Sequence, residues 1–92
     1  MSKARAEVIV YGRVQGVFFR QSTMEMATAM GLTGQVINCP DGTVSAIFEG
    51  DLNKVQQALE WCHHGPPAAR VEMVEADWQN YRGEFDCFKI GY

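Results

Sequence analysis

Apolar and polar side chains alternate from residue 5 to residue 12, with Ala6, Val8 and Val10 on one side and Arg5 and Glu7 on the other. A period of two marks a half-buried strand, so the spacing predicts β-structure over 5–12 and a loop over 13–20. The period then lengthens. Thr23, Met26, Ala27 and Met30 fall on one helical face, Ser22 and Glu25 have the spacing of a capping box at its start, and Gly31 stands where a C-terminal cap is expected. Methionines at that spacing are read as core packing. Residues 34–38 return to a strand, "NCPDGT" carries the chemistry of a tight turn, and residues 43–49 follow as a third strand with Val44, Ala46 and Phe48 on one face. Gly50 and Asp51 lead into a second helix whose apolar stripe is Leu52, Val55, Leu59 and Cys62. "HHGPP" ends it, because neither proline can continue a helix. The remaining residues predict strands over about 70–78 and 84–91 around a turn at Arg82-Gly83, with Phe88, Ile90 and Tyr92 alternating onto one face.

Strand, helix, strand, strand, helix, strand, with one more strand appended, buries both helical stripes most economically on one face of an antiparallel sheet. That is an α+β, ferredoxin-like βαββαβ sandwich with an additional C-terminal strand. The 92 residues leave room for one domain, 1–92, and one core. Apolar content of 47% with 21% charged residues is that of a globular chain and not of a disordered one. So widely used an architecture says nothing about activity, which has to be read from particular side chains.

The net charge of −3 and the scatter of lysine and arginine argue against a nucleic-acid surface, which needs a broad basic patch. A sheet that stacks RNA bases is weaker still, since no "GFGFV"-like run accompanies the aromatics. No apolar run approaches the ~20 residues of a bilayer span, and the start lacks a secretory pattern, so a soluble cytoplasmic chain is expected. Nothing in the pattern asks for an obligate dimer, and a monomer is expected. Cys39, Cys62 and Cys87 are odd in number, far apart and without CxxC spacing, which predicts free thiols and no zinc site. His63 and His64 adjoin a helix break and are read as surface residues, so neither a metal nor a cofactor is expected.

One segment breaks the acidic trend. From Val8 to Met24 there is no acid, while "VYGRVQGVFFRQS" supplies Gly12, Gly16, Arg13 and Arg20. Glycines permit backbone angles closed to other residues and a close approach to a ligand, and successive N–H groups can converge on an anion. The helix start adds its positive end. Arg20 offers a planar fork that matches two phosphate or carboxylate oxygens. These residues suit a pocket for one phosphate-sized dianion, and they also suit a plain strand-to-helix loop beside a solvated arginine. Other phosphate patterns do not fit: the GK[ST] ending of a P-loop is missing, and Gly12-x-x-x-Gly16 is not dinucleotide spacing. Seven residues, not the five of a cysteine-phosphatase loop, separate Cys62 from Arg70, and no Ser-His-acid signature is present.

"VYGRVQGVFFR" resembles the first signature of the acylphosphatase family, roughly G-x-V-Q-G-V-x-[FM]-R. "GQVINCPDGTVSAIFEG" resembles the second, in which an asparagine stands four residues before the hairpin glycine. The similarity runs from about residue 5 to the C-terminus. It implies the same sandwich fold and the metal-free hydrolysis of acyl phosphates to a carboxylate and inorganic phosphate. By position it implies that Arg20 binds the phosphate, that the backbone amides of Gln15, Gly16, Val17, Phe18, Phe19 and Arg20 cradle it, and that Asn38 orients the attacking water. Gln35 and Ile37 depart from the family pattern, and the departure is expected to fall on the pocket rim and on substrate preference. Acylphosphatase-like domains also occur within larger carbamoyl-transfer proteins, so the rival reading is a non-catalytic module that keeps an anion pocket. A free-standing chain, and an Asn38 that a pure binding site would not need, favour the enzyme. Asp41 and Gly42 are expected to serve the turn alone.

Overall fold

In the computed structural model, which describes residues 2–91, the alternation at the start of the chain becomes strand β1 (Lys3–Arg13), and Ala6, Val8 and Val10 are fully buried. Then follow α1 (Phe19–Ala29), β2 (Thr33–Asn38), β3 (Val44–Asp51), α2 (Leu52–Cys62), β4 (Arg70–Gln79) and β5 (Phe88–Ile90). The strands lie in the order β4-β1-β3-β2-β5. Strand β3 runs antiparallel to both β1 and β2, and β4 runs antiparallel to β1. Register explains the core: Ala6 lies opposite Phe48, Val8 opposite Ala46 and Val10 opposite Val44. That inward face, with Val36, meets Ala27 of α1 and Val55, Ala58 and Cys62 of α2 in one cluster. Burying each Val- or Phe-sized side chain contributes about 1.5–3 kcal/mol, so the sheet face holds the helices more firmly than their end caps can.

The start of α1 shows that balance. The helix begins at Phe19, three residues before Ser22, and Phe18 at its N-cap position makes no side-chain cap. The Ser22 N–H already donates to the Phe18 carbonyl at 3.0 Å, so the expected capping box is not made, and Glu25 accepts instead from Gln21 Nε2 at 3.0 Å. The anchor is tertiary. Phe19 is buried edge-on against Trp61 at 5.5 Å, and Thr23 Oγ1 donates to the Phe19 carbonyl at 2.7 Å.

The chain's last third also departs from expectation: the second of its two strands spans only Phe88–Ile90, not 84–91, and pairs with β2. Strand β4 takes the β1 edge, while β5, only three residues long, joins the far edge parallel to β2, so the sheet is mixed. Residues 80–87 cross the sheet face away from the helices to get there, over Arg5 and Glu49, which face one another across β1 and β3. Arg5 was expected on that outer face, and it is there, but covered: Arg5 is 2% exposed and Glu49 is 0%. Glu49 accepts from Arg5 Nη1 at 3.2 Å and from the backbone N–H groups of Arg82, Gly83 and Glu84 at 2.8, 3.2 and 3.2 Å. Burial raises the Glu49 carboxyl's pKa, but the Arg82 N–H, the Arg5 guanidinium and the other two N–H groups outweigh it, and the net shift is below the ordinary value. The crossing delivers Phe88 to stack on Phe48 at 5.4 Å, and the Gly91 N–H to the Val36 carbonyl at 2.9 Å. Tyr92, expected to continue that face, lies outside the described residues.

Gly12 also differs from its expected role. It lies within β1 where the pairing to β4 slips by one residue, with Tyr11 opposite Met73 and Gly12 opposite Val71. A Cβ there would sit 2.1 Å from the Arg70 carbonyl oxygen, so this glycine admits the neighbouring strand and not a ligand. Among the described residues no helix is long and apolar enough to cross a membrane, and no group of three or more His, Cys, Asp and Glu side chains is placed to hold a metal ion.

Candidate active site

Five residues, 14–18, join β1 to α1. Val14 and Val17 are buried and pin the loop to the core, while Gly16 (φ 73°) and Phe18 (φ 65°, ψ 23°) adopt left-handed backbone. Nothing lies within 4 Å of where a Gly16 Cβ would be, so the angle and not the space calls for glycine. Phe18 takes the same kind of angle with a bulky side chain, a conformation that costs about 1–3 kcal/mol. The first helical bond is Ser22 to Phe18, which leaves the N–H groups of Phe19, Arg20 and Gln21 without an acceptor inside the helix. Left-handed residues two apart, leading directly into a helix start, are the backbone ingredients of a concave anion site.

Those ingredients border an open pocket of about 310 Å³. Gly16, Phe18, Phe19, Arg20 and Gln21 form one side, and Val14, Asn38 and Ile90 complete it. Asn38 is the last residue of β2, opposite Val44, and shares the inward parity of Gly34 and Val36. A carboxamide there stands where the strand's period calls for a core residue. Its Oδ1 is buried and has no hydrogen-bond partner among the described residues. An unpaired buried acceptor costs about 1–3 kcal/mol, so the fold tolerates it at the pocket against its own stability.

Loop and strand end are tied together by Gln15. Its Nε2 donates to the Cys39 carbonyl at 2.8 Å and to the Thr43 carbonyl at 2.9 Å, the two carbonyls that frame the β2–β3 turn. The turn closes on itself through Cys39 N–H to the Thr43 carbonyl (2.9 Å) and Gly42 N–H to the Cys39 carbonyl (3.1 Å). Asp41 Oδ1 accepts from the Thr43 hydroxyl at 2.6 Å and the Thr43 N–H at 3.0 Å, which together hold the Asp41 carboxyl below its ordinary range. Asp41 and Gly42 thus do turn work, and neither borders the pocket.

Of the residues singled out from the sequence, Gly16, Phe18, Phe19, Arg20 and Asn38 meet at this one pocket. The side chains of Gln15 and Val17 do not line it: one holds the turn and the other is in the core. Arg13, at the exposed end of β1, is outside it too. Gln35 and Ile37 do not border it either, because their parity on β2 is opposite to that of Asn38. The expected departure at the pocket rim is therefore not there. The sequence reading missed Val14, Gln21 and Ile90. Gln21 would follow from an earlier helix start; Ile90 depends on the parallel pairing of β5, which no local pattern announces. His63 and His64 are exposed at the end of α2, and burial pushes the Cys62 thiol up to about 12, leaving it inert.

The acylphosphatase family profile matches residues 6–90. An acylphosphatase of Pelotomaculum thermopropionicum is 52% identical over 92 residues, spanning all of both chains. One of Pyrobaculum aerophilum is 53% identical over 91 residues, covering 98% of this chain and 96% of its own. Among solved structures, the crystal structure of acylphosphatase from Bacillus subtilis superposes with a TM-score of 0.93 at 32% identity, covering 97% of this chain and 99% of that one. With matches of that extent in both sequence and fold, the chain belongs to the acylphosphatase family.

Proposed function

We propose that this chain, acting as a single-domain cytoplasmic monomer, hydrolyses the carboxyl–phosphate bond of small-molecule acyl phosphates, with no nucleic acid, metal or cofactor involved. Arg20 and the loop and helix-start N–H groups hold the phosphoryl oxygens. Asn38 accepts a hydrogen bond from the attacking water and aims it at phosphorus, opposite the leaving oxygen. The new bond is water oxygen to phosphorus; the bond that breaks is phosphorus to acyl oxygen. The electron pair leaves with a carboxylate, a weak base that needs no general acid. The water's proton passes to a phosphoryl oxygen of the substrate.

So spare a machinery is chemically sufficient, because phosphoryl transfer depends mainly on positioning and on charge stabilisation at the equatorial oxygens. The observation that carries the reading is the buried, unpartnered Asn38 Oδ1 on the same pocket as Arg20. A site built only to bind an oxyanion has no use for an extra acceptor, whereas one that orients water does.

Benzoyl phosphate hydrolysis, with inorganic phosphate as inhibitor and excess chelator in a parallel arm, tests this. Arg20→Ala is expected to abolish turnover and weaken phosphate inhibition. Asn38→Ala is expected to lower kcat about 100-fold or more, on the scale of losing one preorganised transition-state contact, with phosphate affinity nearly intact. Parent-rate hydrolysis by Arg20→Ala would overturn the assignment. A loss under chelator restored by zinc or magnesium would overturn the metal-free mechanism.

A further inference from the structure

The side chain of Phe18 has no role in the mechanism above, yet it is the most conspicuous group on the pocket. Phe18 is 79% exposed, whereas the other large exposed hydrophobics among the described residues, Ile9, Met73, Trp78 and Tyr81, lie between 38% and 47%. It stands on a left-handed backbone that glycine adopts without strain and that a bulky residue rarely takes. Neither capping nor core packing explains it. Phe18 makes no side-chain cap, and the core position next to it is filled by Phe19. The loop angle alone would be served better by glycine.

We propose that Phe18 is a specificity-determining residue that receives a flat, apolar acyl group, so that the pocket favours aryl-type acyl phosphates over those with small or polar acyl groups. The inference rests on the hydrolysis proposed above and narrows its substrate. An acyl phosphate has two ends. The dianionic end belongs with Arg20 and the N–H groups, and the inner wall is closed by Val14 and Phe19, which are 1% and 2% exposed. The acyl end therefore points to where the pocket opens, bordered by the Phe18 ring and the half-buried Ile90. A planar apolar group there covers the exposed ring face and is held by offset stacking. An acetyl or carbamoyl group leaves most of the ring in water, and a hydroxylated chain brings polar groups that the ring cannot pair.

The test compares kcat/KM for benzoyl phosphate and for acetyl phosphate in the wild type, Phe18→Gly, Phe18→Leu and Phe18→Tyr. Using their ratio cancels any general effect of altering the loop. In Phe18→Gly the benzoyl-to-acetyl ratio should fall roughly fivefold to tenfold, the scale of one lost aromatic contact. Phe18→Tyr should keep the wild-type ratio and Phe18→Leu should fall between; Leu also secures the comparison should the glycine variant not fold. A ratio unmoved in both Phe18→Gly and Phe18→Leu while the wild type hydrolyses both substrates overturns this inference alone. A wild type that hydrolyses neither overturns the parent reading and this one with it.

Discussion

Replacing Glu49 by glutamine keeps the side chain's shape and removes its charge, and the structure says what that does. Three donors, Arg5 Nη1 and the N–H groups of Arg82 and Gly83, converge on Oε2, and the Glu84 N–H meets Oε1. Four donors surround a group that then brings an NH2 of its own. Whichever way the amide turns, donor faces donor. Breaking one side of a buried ion pair costs about 3–5 kcal/mol. The crossing segment can rehydrate its N–H groups as it lifts, so the lower figure, ~3 kcal/mol, is the one to expect. A chain of this length has about 5–14 kcal/mol of stability, and at ~4–8 °C per kcal/mol the melting temperature should drop by roughly 12–24 °C.

Urea and thermal unfolding, followed by circular dichroism across pH, measure this. The sign follows from the depressed Glu49 carboxyl: its contribution is fully present above the unfolded glutamate's titration range and is lost as pH falls through the lower folded value. Wild-type stability should therefore decline as the medium is acidified through and below the ordinary glutamate range, and Glu49→Gln should flatten that decline. A variant within about 0.5 kcal/mol of wild type at neutral pH, or one with an identical acid slope, would refute the reasoning.

Two further perturbations address the site's framework. Gln15→Ala removes both bonds to the β2–β3 turn and should cost about 1–3 kcal/mol of stability; it should also lower kcat, and that loss should shrink in an Asn38→Ala background, which a double-mutant cycle on benzoyl phosphate turnover reads directly. Independent effects of the two changes would show that the turn does not carry Gln15's influence. Gly12→Ala drives a methyl group into the Arg70 carbonyl and forces an unfavourable angle (φ 125°) worth ~1–3 kcal/mol by itself, so urea unfolding should show a loss of at least that size; an unchanged midpoint would contradict the close approach of β4.

The fold was legible wherever local period and burial agree. Ala6, Val8 and Val10, and likewise Val44, Ala46 and Phe48, reach the core that their alternation predicts. The cap at Ser22 and Glu25 was misleading because a buried Phe19 outweighs a cap worth about 1 kcal/mol. The path of residues 80–87 was illegible because its cause, the pair Arg5 and Glu49, comes from strands distant in sequence, and each side chain taken alone looks like ordinary solvent-facing polarity. At the pocket, Arg20 and Asn38 were found through motif resemblance, though Asn38 also carries a purely physical sign: a carboxamide on the inward parity of a strand. Ile90 has no such sign. Its place depends on a three-residue strand pairing across a long excursion of the chain.

The order β1-β3-β2 has a consequence for when the protein becomes active. The loop carrying Arg20 leaves from one strand and Asn38 ends another, and the two are not neighbours; β3 must slot between them before guanidinium and carboxamide can share a cavity. On the mechanism proposed above, a fragment comprising the first three elements alone is therefore expected to be inactive, even with every signature residue of the loop and Asn38 in place. During renaturation, recovery of that activity should then report completed topology and not early helix growth.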